Sequence, residues 1–165
     1  VNKVAYAFAT AGLAGAGAAS DSPQLKIMAA VMAAGMVAPL AMALSTTLRP
    51  QLFSEPEREN GKAAWLLGFS FISEGAIPFA AADPVRIIAS SVVGSTICGA
   101  LAMAFSLGIR APHGGIWVLP IMGSLSQMAL FLVALAIGVV VMAGIVITLK
   151  SRDKHLAEVD AVATV

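Results

Sequence analysis

Charge is what this sequence has least of. Only 12% of its 165 residues are Asp, Glu, Lys or Arg, and 59% are hydrophobic, where a soluble domain carries roughly 25% charged and 45–50% apolar residues. That balance excludes an ordinary soluble fold, and a mean hydropathy of +0.90 points to a polytopic membrane protein. The charges nearly cancel, ten Lys and Arg against nine Asp and Glu, which gives no reason to propose a nucleic-acid partner. Cysteine is almost missing: Cys98 stands alone, so no internal disulfide forms and no cysteine-based metal site is expected. In its uncharged surroundings that thiol reads as a small hydrophobe. Paired histidines at metal spacing and a glycine-rich loop with a phosphate-binding lysine are also missing, so no metal is expected and nucleotide hydrolysis is not expected here. No cofactor is implied. The chain begins at Val1 without a basic n-region or cleavage site, and is expected to be a fragment that carries no signal peptide.

What is there is a series of uncharged runs. Val4 to Ser20 is short and rich in Ala and Gly, either one wall of a packed bundle or a broken, re-entrant piece. Asp21, Ser22 and Pro23 make a turn and restart. Ile27 to Leu48 is long enough for a full crossing at about 20 residues per span, with Pro39 in its middle removing one backbone donor. Arg49-Pro50 ends it, Gln51 to Lys62 reads as a solvated loop, and Asp83-Pro84 as a turn opening the next helix. Ile87 to Ile109 is the next crossing, with Ser90, Gly94, Cys98 and Ala102 recurring every four residues and Ser91, Ser95 and Gly99 beside them. Such small-residue stripes let helices approach closely. Arg110 to Gly115 cannot be regular helix. From Ala111 to Leu149 there is no formal charge if His113 is neutral. As one helix this run would extend ~58 Å, about twice the hydrocarbon core, so it must fold back. A short element at Ile116 to Met122, a break at Pro120 to Ser124 and a span from Leu125 to Leu149 are expected, with a polar, fraying cytoplasmic tail over 150–165.

One stretch departs from this plan. A run of spanning length, Ala63 to Ala82, is interrupted by a single acid, Glu74, and by Gly75 and Pro78. Ionisable groups at membrane depth are expensive and usually functional, and broken backbone is tolerated there only against protein or a cavity. Charge counting tests whether the stretch crosses. If it returns, Lys3, Arg49, Arg58, Lys62, Arg86, Lys150, Arg152 and Lys154 are cytoplasmic, with only Lys26 and Arg110 outside; a single crossing divides the same ten evenly. The positive-inside rule favours the return. The expected fold is therefore all-α, a polytopic membrane protein with a re-entrant, broken-helix hairpin.

Glu74 leads the candidate site residues. An ionised carboxylate only accepts hydrogen bonds and holds two neighbouring hydroxyls at once, which suits a sugar. The alternative is a protonated or paired glutamate locking the hairpin, to Arg86 or Arg110. Arg86 reads equally as a partner for a phosphate or for Glu74 and as an interfacial, snorkelling arginine beside Asp83. His113 in A-P-H-G-G reads as a hydrogen-bonding group or a plain loop histidine, next to glycines that let backbone approach a ligand.

Three stretches, V-N-K-V-A-Y-A-F at 1–8, I-S-E-G-A-I-P-F-A-A-A-D-P-V-R at 72–86 and A-P-H-G-G at 111–115, resemble in order and spacing the fructose-specific enzyme IIC of the bacterial phosphotransferase system. The resemblance covers nearly the whole chain and implies the C-terminal half of a IIC membrane domain over 1–149, in the bacterial inner membrane. It implies uptake of fructose, or a related ketose or polyol, coupled to phosphorylation by a phosphocysteine of a IIB partner. The chain would thus be part of a sugar phosphotransferase but not catalytic without IIB, with the N-terminal half of IIC, the bilayer and a second copy in a homodimer as further partners. In the wider superfamily the glutamate of a G-I-T-E-like motif binds sugar hydroxyls on a re-entrant hairpin, a role that transfers to Glu74. Asn2 and His113 match the family's V-N-K and P-H-G-G polar residues. Ser73 stands where threonine is usual and keeps the hydroxyl; Phe71 stands where glycine is usual and bears on the hairpin geometry. An ion-coupled secondary transporter or channel-like protein using the same hairpin is the alternative, and an inactive remnant the third.

Overall fold

A computed structural model of the chain describes residues 23–109, 111, 113–122 and 124–163. Asn2, the small-rich run Val4 to Ser20 and Arg110 lie outside these residues. The described residues are helical: α1 (Pro23–Leu48), α2 (Glu55–Phe69), α3 (Ile77–Ala82), α4 (Pro84–Ala104) and α5 (Leu125–Ala163). Short 3-10 turns at Pro50–Leu52, Ser73–Ala76 and Gly115–Met122 join them.

Among the described residues, three stretches are long and apolar enough to cross a membrane: Leu25–Leu48 of α1, Pro84–Ala104 of α4 and Leu125–Arg152 of α5. The first is 61% buried within the fold, against 28% and 44% for the others, so α1 is the central post. It packs against α2, α4 and α5 and buries Met28, Met32, Met36, Leu40 and Met42. α4 buries only Ile87 and the stripe read in the sequence, Ser90, Gly94, Cys98 and Ala102. The stripe works by size. A Cβ on Gly94 would stand 2.7 Å from Met142 Cβ and 2.9 Å from the Gly138 carbonyl, and one on Gly138 would stand 2.7 Å from Cys98 Cβ. The second stripe faces α1, where the Ser95 hydroxyl donates to the Ala34 carbonyl at 3.0 Å.

The segment between α1 and α4 doubles back on itself as a helical hairpin, Phe79 returning to Phe53. Ser54 caps α2 in a reciprocal box with Glu57, and Pro56 suits the first turn, where its missing N–H is no loss. Gly61, Ala64 and Gly68 form the buried face of α2. A Cβ on Gly68 would meet Leu40 at 2.7 Å, so these small residues let α2 lie close along α1. After the turn, α3 leads back until the ring of Phe79 stands edge-on to Phe53, centroids 6.5 Å apart. Phe53 lies two residues before α2, next to its cap Ser54, so the segment starts and finishes close together. We call this end the base. Lys150 of α5 also lies there, its ammonium 4.3 Å from the Phe53 ring centre.

The structure differs from the sequence expectation in three places. Residues 55–59, expected as a solvated loop, are the first turns of α2, with Glu57 tied to Lys150. α4 stops at Ala104 rather than running to Ile109: Ser106 adopts φ +51, and the Leu107 N–H reaches back to the Ala102 carbonyl at 3.1 Å, a left-handed helix stop. Where fraying is expected beyond Lys150, α5 continues as helix to Ala163.

Candidate functional site

The hairpin tip is built by the way α2 ends. The Phe71 N–H bonds to the Gly68 carbonyl at 3.2 Å, and the Ile72 N–H to the Leu67 carbonyl at 2.9 Å. This is the paired closure of a Schellman stop, whose turning residue is left-handed and usually glycine. Here that residue is Phe71, at φ +64. A left-handed non-glycine residue costs of order 1 kcal/mol, and the ring offsets it by packing on α1. It lies so close over Gly35 that a Cβ there would meet Phe71 Cε2 at 2.5 Å.

Ser73 and Gly75 complete the docking. The Ser73 hydroxyl donates to the Gly35 carbonyl at 3.1 Å, and a Cβ on Gly75 would lie 3.4 Å from Pro39 Cβ. Gly35 lies about 20 Å of helix from Leu48, at 1.5 Å per residue, so the tip reaches the middle of α1. Residues 71, 73 and 75 thus hold to α1, while Ile72 and Glu74 between them are exposed. The Glu74 side chain is left exposed between docked neighbours. Among the described residues it has no hydrogen-bond or ion-pair partner.

The loop after α4 closes on the same tip. Gly114 and Gly115 adopt φ +114 and +61, and the Cα of Gly115 sits so tightly on the backbone of Phe69 and Phe71 that a side chain there would collide with it. Trp117 Nε1 donates to the Ser70 hydroxyl at 3.1 Å. The turn that carries His113 is therefore clamped to the turn that carries Glu74, and His113 itself is exposed. Beyond the paired glycines, no local pattern announces this clamp.

Arg86 is elsewhere. Its guanidinium bonds Asp83 at 2.8 Å and its backbone N–H reaches the same carboxylate at 3.4 Å, which caps α4. Both line a cleft of about 480 Å³ at the base, with Gln51, Glu57 and Lys150. Burial raises the pKa of Glu57, but the Ser54 backbone N–H and Lys150 outweigh it and leave the carboxyl below its ordinary value. Of the candidate residues, Ser73, Glu74 and the His113 turn share the tip, Arg86 belongs to the base, and Asn2 lies outside the described residues. No group of His, Cys, Asp and Glu among the described residues is arranged to hold a metal ion.

Comparison with known proteins gives one consistent result. The chain is 48% identical over 150 residues to the PTS system fructose-specific EIIB'BC component of Rhodobacter capsulatus, covering 91% of this chain and 25% of that protein. It is 47% identical over 163 residues to the component of the same name from Escherichia coli K12, covering 99% of this chain and 27% of that one. It is 46% identical over 150 residues to the PTS system fructose-specific EIIC component of Haloferax volcanii, covering 91% and 37%. The chain thus spans between a quarter and two fifths of these relatives. No family model matches it, and no solved structure does. With three spanning helices and these relatives, the chain is a multi-pass protein of the inner membrane.

Proposed function

We propose, for a chain that belongs to the fructose-specific IIC components of the phosphotransferase system, that it forms the C-terminal half of the membrane domain and binds fructose at the hairpin tip. The observation that carries this is the alternation at 71–75: three residues dock on the middle of α1, and the acid between them is turned outward. The base is the cytoplasmic end, and the hairpin dips into the bilayer from it and returns without crossing. Its shared entry and exit at Phe53 and Phe79 support this, as does the positive-inside count.

The chemistry follows from the groups present. Glu74, as an acceptor, takes two neighbouring sugar hydroxyls. His113, on the turn clamped to the tip, and Asn2 complete the polar contacts. The N-terminal half of the membrane domain supplies the facing wall, in a homodimer. The sugar then moves to the cytoplasmic side, where a IIB phosphocysteine donates its phosphoryl group: the sugar oxygen forms the new O–P bond, the S–P bond breaks and the hydroxyl proton is released. The names of two of these relatives join B and C components, which supports a IIB partner. Arg86 lines the basal cleft, which supports a role for it in meeting that phosphoryl group. This chain's part is positioning, the main requirement of phosphoryl transfer.

The product decides. Vesicles carrying the full-length permease should accumulate phosphorylated fructose only when phosphorylated IIB is supplied. Unmodified fructose following an ion gradient would contradict the proposal and support a secondary transporter.

A further inference from the structure

Pro39 lies inside α1 and has no N–H. In an unbroken α-helix the amide at position 39 would bond the carbonyl of Gly35, four residues earlier. That carbonyl is the one the Ser73 hydroxyl reaches, at 3.1 Å, across 38 residues of sequence. A carbonyl deprived of its helical donor in apolar surroundings is costly to leave unmade, so the hydroxyl is worth more here than on an intact turn. The neighbouring Ala34 carbonyl, which Ser95 also reaches, still has residue 38 as its helical donor. Phe71 on Gly35 and Gly75 on Pro39 place the rest of the tip on the same interrupted turn.

We infer that Ser73 is a positioning residue: its hydroxyl stands in for the amide that Pro39 lacks and thereby fixes the tip on α1 and orients Glu74. The hydroxyl proton is committed to Gly35, so Ser73 acts on the sugar through Glu74. This rests on the reading of Glu74 as the sugar's ligand. A threonine hydroxyl at position 73 could make the same bond. The need for the hydroxyl should disappear when the amide donor is restored.

The test is a double-mutant cycle on fructose binding by the full-length permease. Ser73→Ala should weaken binding roughly tenfold, the scale of one buried hydrogen bond, and Ser73→Thr should bind as the wild type does. In a Pro39→Ala background, where α1 has its own amide, Ser73→Ala should cost less than about threefold. Equal costs in the two backgrounds, or no cost in the first, would overturn the inference. Should Ser73→Ala fail to accumulate in the membrane, the double variant must accumulate, and its failure would overturn the inference too. Glu74→Gln in the same series checks the premise. Retained binding there sinks the sugar-ligand reading, whereas lost binding with an uncoupled Ser73 sinks only the positioning role.

Discussion

Lys150, near the end of the spanning stretch of α5, donates to Glu57 in the first turn of α2 at 3.1 Å, with both side chains only 13% exposed. The pair joins the base of the hairpin to a spanning helix 93 residues away in sequence. Glu57 also accepts from the Ser54 backbone and hydroxyl at 2.8 and 2.9 Å, so one carboxylate both caps α2 and anchors it.

Removing one partner should therefore hurt more than removing both, because a lone buried charge is left behind. Lys150→Met should destabilise the protein by about 2 kcal/mol, and adding Glu57→Gln should recover part of the loss; thermal unfolding in detergent reads both. The pH dependence has a fixed sign. Glu57 is held below its ordinary value in the folded protein, so its contribution is fully present above the usual carboxylate range and fades as pH falls through the depressed value. Acid should lower the melting temperature of the wild type more than that of Glu57→Gln. Parallel acid profiles for the two proteins would refute the assignment.

Gly115 should tolerate no side chain. Its φ of +61 disfavours one, and the backbone of Phe69 and Phe71 fills the space where a Cβ would go. Gly115→Ala should cost at least about 1 kcal/mol from conformation alone and lift the His113 turn off the tip. The expected signature is weaker fructose binding with Trp117, bonded to Ser70 in the wild type, released to a changed fluorescence. An unchanged Trp117 signal in that variant would show the two turns to be independent.

Much of the fold was legible because span length and charge position are local properties. Pro39, Asp83-Pro84 and the Ser90–Gly94–Cys98–Ala102 stripe all lie where their chemistry requires. The base was misread because Glu57 sits in a polar run, and only the return of α5 brings Lys150 to it. Nothing local in either stretch announces a pair. The tip was half legible. The acid and the breakers marked it, but its docking depends on residues of α1 far away in sequence. Phe71 makes the point: it stands where the resemblance leads one to expect glycine, yet its ring is what seats the left-handed turn over Gly35. A substitution that costs conformation locally contributes packing at a distance.

The most direct measurement is equilibrium binding of fructose to the full-length permease carrying Glu74→Gln, with the protein's presence in the membrane verified. The change keeps the shape of the side chain and replaces a carboxyl oxygen by an amide nitrogen at an exposed position of the tip. Loss of binding by a normally inserted protein is the predicted result, and binding as tight as in the wild type would contradict it.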